Sequence, residues 1–377
     1  MSDKASNLSD AVTYHYGRFP PDSLDWEKLF RPMEEASRTL ARYDAKMTGM
    51  VNAALLVAPL RAQDAVASSR MEGTIATIGE IYRLQADEDS GSRNPYKEAR
   101  NDTIETYLYS RVMNEAQALL SQGSPLNEHL VRTAHQHLLS FGRGAAKNPG
   151  SYKTEQNFIG SERRGKISFV PARPDFVVPA MGELFKYIND PTISPILRTA
   201  IAHVEFEALH PFQDGNGRIG RMLITLMLWK LGVLEEPYFY VSGYFEDHRD
   251  EYIEKMRAVS KDGDWEGWII FFLEALQEQA KANTKTVDSI FELYNLMRKA
   301  FREVLKTQYH DQVLDFVFSK PFFYNNTFIK TSKIPAATAR VISKRLADAN
   351  ILRVVAAPSG RRAALYAFGP LLEILET

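Results

Sequence analysis

Residues 209–221 read LHPFQDGNGRIGR, and the rest of the chain is organised around them. A histidine, an acid, three glycines, an asparagine and two arginines fall within little more than about three helical turns' worth of chain. A plain interhelical turn needs one glycine, so a run this polar and glycine-rich calls for another explanation. Gly215, Asn216 and Gly217 can form a concave nest whose backbone N–H groups converge on an anion. Directly after them Ile219, Met222, Leu223, Leu226 and Met227 recur at helical spacing. The nest therefore sits at a helix N-terminus, where partial positive charge favours phosphate. Arg218 and Arg221, three apart on that helix, can reach the same anion. Asp214 is a hard oxygen ligand suited to Mg²⁺ shared with phosphates. His210, ending the preceding helix, is the candidate proton acceptor. These residues spell a polyphosphate in a nest, a metal ion and a base able to deprotonate a nucleophile. No G-x-x-x-x-G-K-[ST] occurs, which excludes a Walker-type loop.

His210, Phe212, Asp214, Gly215, Asn216, Gly217, Arg218 and Arg221 match H-x-F-x-[DE]-G-N-G-R-x-x-R without a departure, and the sequence here resembles the Fic family. The resemblance implies transfer of AMP from ATP to a hydroxyl side chain of a target protein, with pyrophosphate released. It implies a mainly α fold: an all-α Fic core with a β-hairpin flap. His210 would deprotonate the target Tyr, Thr or Ser, and Asp214 would hold Mg²⁺ against the phosphates. Gly215, Asn216, Gly217 and Arg218 would cradle the α- and β-phosphates, with Ile219 and Gly220 in the same nucleotide-binding turn. Arg221 would orient the γ-phosphate. Phe212 alternates away from His210 and is read as a core anchor. The helix dipole favours protonated His210, so that cause is not expected to depress its pKa.

The second informative stretch is residues 68–73, SSRMEG. Ser68 and Glu72 are i and i+4 near the end of an Ala/Leu-rich helical segment, with Gly73 as its stop. A carboxylate at a helix C-terminus opposes the dipole, which asks for a cationic partner elsewhere. The resemblance supplies one. A Ser/Thr-x-x-x-Glu-Gly/Asn motif N-terminal to the core marks the self-inhibited class, in which Glu72 would pair with Arg221 and misalign ATP. The same glutamate could orient a water and let the site remove AMP from a modified protein.

Elsewhere the chain adds less. Residues up to about 25 are polar and Pro-containing, an extended lead-in. Helical spacing runs over 26–50, over 51–71 broken only by Pro59, and over 74–84, followed by an acidic loop at 85–94. A long helix covers 97–120, and Ser124-Pro125 open the next. His135 and His137 in that helix lie on different faces and are read as packing or surface residues, not a metal pair. Two strand-like runs, 156–159 and 167–170, flank a charged tip and make a β-hairpin. By the resemblance this is the flap, with Lys166, Ile167, Ser168 and Phe169 on the nucleotide side and the target backbone added at its edge. The aromatic run at 238–244 suits adenine stacking or, more commonly, core; Tyr252 matches a tyrosine near the adenine in relatives. Helices follow at 176–188, 193–209, 268–281 and 286–307.

A helix, a turn at 331–335, a second helix carrying Arg340, Lys344 and Arg345, and two strands around a basic tip give a winged-helix layout that would meet DNA or protein. The expected domains are a helical region with the inhibitory helix (1–96), the Fic core (97–283), a helical linker (284–307) and the winged helix (308–377). Expected partners are ATP, a target protein, the chain itself as substrate, and a second copy in a homodimer. A net charge of −1 argues against bulk nucleic-acid or membrane attraction. The absence of cysteine excludes disulfides and thiolate chemistry. No apolar leader or membrane-length run is present, so a cytoplasmic location is expected. The alternative is a DNA-binding regulator whose nest only senses a nucleotide. The complete His–Asp–Asn–Arg–Arg set argues against it, because a sensor needs no base.

Overall fold

A computed structural model describes residues 11–50, 52–92, 94–161, 166–360 and 362–376. The charged hairpin tip at 162–165 and Arg361 lie outside the described residues. A short strand β1 (Val12–Thr13) precedes helices α1 (Trp26–Thr48), α2 (Ala53–Met71), α3 (Ile78–Asp89), α4 (Asn101–Ser121) and α5 (Glu128–Leu138). Strands β2 (Ile159–Ser161) and β3 (Lys166–Val170) follow. Then come α6 (Pro174–Ile188), α7 (Pro195–Leu209), α8 (Asn216–Lys230), α9 (Ser242–Asp247), α10 (Arg249–Asp262) and α11 (Trp265–Leu305). The C-terminal part runs α12 (His310–Ser319), β4 (Phe322–Tyr324), α13 (Asn325–Thr331), α14 (Ala336–Asp348), β5 (Arg353–Ala356), β6 (Leu365–Ala367) and α15 (Gly369–Leu375). The molecule is mainly α, as expected. Among the described residues no helix is long and apolar enough to cross a membrane.

Helix α8 is buried on every side from Asn216 to Leu228, and α7, packed against it, is buried nearly as fully. Their sequences lack a wide polar stripe, which is why they occupy the centre. Two buried polar groups of α7 are engaged from outside it. The Arg198 guanidinium donates to the Ile188 carbonyl at 2.8 Å, and Glu205 accepts from the Tyr14 hydroxyl at 2.6 Å. The extended lead-in is built into the fold from residue 12 on: β1 pairs in parallel with β3, and His15 lies 2.9 Å from Glu205. The hairpin therefore becomes a three-stranded sheet of order β1-β3-β2.

Several helix limits also differ. Pro59 lies inside α2 without breaking it. Thr77 and Glu80 form a capping box that starts α3 four residues later than expected, and the helix runs on to Asp89 through the first half of the anticipated loop. Asn127, not Ser124, caps α5, accepting from the Leu130 N–H at 3.0 Å, and α4 begins at Asn101.

Two apolar cores result. The first surrounds α7 and α8; the second gathers the C-terminal part against α3 and the faces of α2 and α4 that turn towards it. Helix α11 serves both. Trp268, Phe272 and Leu276 enter the first core, Ile290, Phe301 and Leu305 the second. The expected helices at 268–281 and 286–307 are thus one uninterrupted helix of 41 residues. The C-terminal sheet has order β4-β6-β5, so a strand at Phe322–Tyr324 joins the two that the sequence suggested.

Candidate active site

The loop between α7 and α8 is held from all sides. His210 takes the left-handed conformation at φ 48° and caps α7 with its N–H on the Phe206 carbonyl at 3.0 Å. A non-glycine residue in that region is costly unless its surroundings impose it. Here they do. The Asn157 amide donates to the carbonyls of His210 (3.3 Å) and Phe212 (3.0 Å). The Lys153 ammonium donates to the Leu209 carbonyl at 3.0 Å and to Asn157 Oδ1 at 2.8 Å. Asn216, at the start of α8, clasps Phe212 through both of its amide atoms at 2.8 Å. His135 stacks on Phe212 with centroids 3.7 Å apart. Its Nδ1 accepts from the Gly150 N–H, so Nε2 carries the proton and donates to the Asp214 carbonyl at 2.9 Å. His135 is therefore a packing residue as expected, and one that also orders the loop; His137 faces Glu115 instead. Nothing in the sequence singled out Lys153 or Asn157.

At the mouth of the nest stands the end of α2. Arg221 donates through Nε to Ser68 Oγ (2.9 Å), and through Nη2 to the Ser68 carbonyl (2.8 Å) and Glu72 Oε1 (2.7 Å). A Cβ built on Gly217 would collide with Glu72 Oε1. The carboxylate thus rests directly on the backbone of the nest, in the place of an anion. Burial works against its ionisation, but the guanidinium groups of Arg221 and Arg218 outweigh that and hold its pKa below the ordinary range. Arg218 is just as buried, yet its Nε and Nη1 have no hydrogen-bond partner among the described residues. Glu105 is 3.7 Å from Nη1 and Asp214 3.9 Å from Nη2, both beyond a good hydrogen bond. Unmatched buried donors beside an anion nest fit a phosphate group.

His210 differs from the sequence expectation in one respect. Burial, reinforced by the nearby Lys153 ammonium, pushes its pKa down to about 4, overriding the helix dipole. The ring is neutral near pH 7. Its Nδ1 lies 3.3 Å from the Glu207 carbonyl, which can only accept. That places the proton on Nδ1 and leaves Nε2 with a lone pair. Asp214 has a half-exposed side chain with Oδ1 receiving the Gly215 N–H at 2.6 Å. Among the described residues no three acidic or His side chains cluster to hold a metal. A cation here would need ligand oxygens as well, which is the usual Mg²⁺ arrangement with phosphates.

These groups open onto a cavity of about 180 Å³. Of the residues expected at the site, Glu72, Ser168, Phe169, His210, Gly217, Arg221 and Tyr252 line it. Ser68, Asp214, Gly215, Asn216, Arg218 and Gly220 stand behind its walls, and Ile219 is buried in the first core. Ile167 does not reach it, and the Lys166 side chain lies outside the described residues. The aromatic run contributes core instead, with Phe239 fully buried. Sequence reasoning missed Glu207, Arg249, Met256 and Arg257 on the cavity wall. Arg249 and Met256 carried a signal in their spacing of three and four from Tyr252, and Glu207 in lying three before His210.

Comparison with known proteins agrees with this geometry. The Fic/DOC family model matches residues 125–228, and the Fic/DOC N-terminal model matches residues 30–118. The protein adenylyltransferase fic-1 of Caenorhabditis elegans is 29% identical over 167 residues, 43% of this chain and 30% of that protein. Its counterpart from Caenorhabditis briggsae is 28% identical over the same shares. The chain thus spans about 30% of the length of these curated relatives. A Fic family protein from Desulfovibrio desulfuricans G20 superposes with a TM-score of 0.58 at 18% identity, over 93% of this chain and 98% of that one, and so shares the fold. A histidine-capped helix, a glycine nest opening the next one, and matches on both sides of the junction at Leu120–Ser124 lead to one statement: this chain belongs to the Fic/DOC family.

Proposed function

We propose that this chain is a self-inhibited protein adenylyltransferase. The observation that carries the reading is the Glu72 carboxylate seated on the nest and bonded to Arg221 at 2.7 Å, where a phosphate would otherwise lie. ATP is the substrate that fits. Gly217 and the unmatched donors of Arg218 would receive its α- and β-phosphates, and Arg221 its γ-phosphate once Glu72 withdraws. Mg²⁺, held by Asp214 and the phosphates together, would supply neutralisation of their charge.

The hydroxyl of a Tyr, Thr or Ser side chain gives its proton to His210 Nε2 as its oxygen bonds to the α-phosphorus. The bond from that phosphorus to the bridging oxygen of the β-phosphate breaks, and pyrophosphate leaves. The neutral ring of His210 is in the state this requires, and bound nucleotide charge raises its basicity. Ser168 and Phe169 of β3 reach the cavity, in keeping with a flap that docks an extended target backbone at a strand edge. Removal of AMP from modified protein, with Glu72 orienting water, is the reverse use of the same site. The proposal extends to a cytoplasmic, homodimeric protein whose C-terminal part is a winged helix. The exposed Arg340 and Lys344 on α14 support its contact with DNA or protein.

Incubation with MgATP followed by mass spectrometry tests this. Glu72→Gly should carry AMP on its own Tyr, Thr or Ser residues at about tenfold or more the wild-type level. Adding His210→Ala should lower the rate by about 10²–10⁴-fold. A Glu72→Gly protein that takes up no AMP and modifies no added protein would overturn the reading.

A further inference from the structure

Glu207 is a cavity residue to which neither the signature nor the nucleotide reading above assigns work. It lies three residues before His210 on α7, as Gly220 lies three after Gly217 on α8. Both are thus one helical turn, roughly 5 Å, further along their helices than the base and the nest. The two meet: a Cβ on Gly220 would collide with Glu207 Oε1. That oxygen is buried and has no hydrogen-bond partner among the described residues.

Several neighbouring donors are committed elsewhere. His203 Nδ1 faces the Gly220 carbonyl at 3.1 Å and must donate there, so its Nε2 accepts from the Tyr252 hydroxyl at 2.7 Å. Tyr252 has therefore given its only O–H away. The Nε and Nη2 donors of Arg221 are held by Ser68 and Glu72. A buried carboxyl oxygen without a donor is costly, and a bound ligand that supplies one relieves the cost. Burial pushes the pKa of Glu207 up to about 8, with Arg221 pulling the other way and Glu72 adding to the rise. A carboxyl group held neutral by burial offers one donor and one acceptor, and the ligand group that answers both is a neutral hydroxyl. One turn from the phosphate nest, the next part of a nucleotide is its sugar.

We propose that Glu207 is a sugar-recognition residue: its carboxyl group binds a ribose hydroxyl and makes the site select ribonucleotides over deoxyribonucleotides. This rests on the nucleotide reading above and adds to it a specificity that the reading does not contain.

The test uses the full chain carrying Glu72→Gly and His210→Ala, so that nucleotide binds without turnover. Calorimetric titration compares MgATP with its 2′-deoxy and 3′-deoxy analogues. The parent should bind at least one analogue about tenfold more weakly than ATP. Glu207→Leu should bring that ratio within about twofold, and Glu207→Gln, which keeps one acceptor, should fall between. A merely structural role would weaken all three ligands equally and leave the ratio untouched. A parent without preference, or a ratio unchanged in both variants, overturns the assignment while the nucleotide site stands. A parent that binds none of the three overturns the nucleotide reading itself, and this assignment with it.

Discussion

Arg221 and Arg218 leave the same stretch of α8 and are about equally buried, at 3% and 4% exposure, yet they are treated in opposite ways. Three hydrogen bonds tie Arg221 to the end of α2. Arg218 keeps two buried nitrogens without a hydrogen-bond partner among the described residues. The anion site is thus built in two halves. One half is filled by the protein's own carboxylate; in the other, two guanidinium nitrogens make no hydrogen bond among the described residues, and the carboxylates of Glu105 and Asp214 stand off at 3.7 and 3.9 Å. Stability alone would have matched both arginines, since an unmatched buried donor destabilises. Under the function proposed above, Arg221 is the switch of the site and Arg218 its standing ligand contact.

The contrast is open to attack. Arg221→Ala should lower folding stability by about 3 kcal/mol, because Glu72 and Ser68 lose their shared partner. Arg218→Ala should cost less, about 1–2 kcal/mol, because it removes two nitrogens that make no hydrogen bond but also takes the cation away from buried Glu105. Urea denaturation of the two variants compares them directly, and equal losses would erase the distinction. Within the Glu72→Gly background, Arg218→Ala should then weaken MgATP binding by about tenfold or more, read by calorimetry. Ser68→Ala removes one of the three bonds and should release the lock only in part. Self-modification should rise about fivefold, the equivalent of about 1 kcal/mol, and remain below that of Glu72→Gly.

The smallest expected effect is none. Arg221 and Arg218 hold the Glu72 pKa below its ordinary value, so the contribution of the pair is fully present above that value. It is lost only as pH falls through the depressed one. The ratio of wild-type to Glu72→Gly activity should therefore stay flat between pH 6 and 8. A ratio climbing towards pH 6 would show Glu72 releasing Arg221 in that range.

Much of the site was legible because its residues are contiguous. The order from His210 to Arg221 encodes a helix end, a nest and a helix start, all local consequences of backbone chemistry. Helical spacing likewise located α7 and α8. Limits were less legible wherever a side chain chose between two caps: Asn127 over Ser124 before α5, or the Thr77–Glu80 box before α3. The unity of α11 was hidden because its two halves face different cores, so its apolar stripe changes partners midway.

By itself, then, the sequence determined the glycine nest, the histidine beside it and the mainly helical class, since each depends on residues within a few positions of one another. Only the tertiary structure decided that Glu72 sits on Gly217, that Lys153 and Asn157 hold the loop, and that burial strips His210 of its proton. Those outcomes come from groups tens to well over a hundred residues apart. Which of them meet, and how much water remains between them, is set by packing, which no local pattern records.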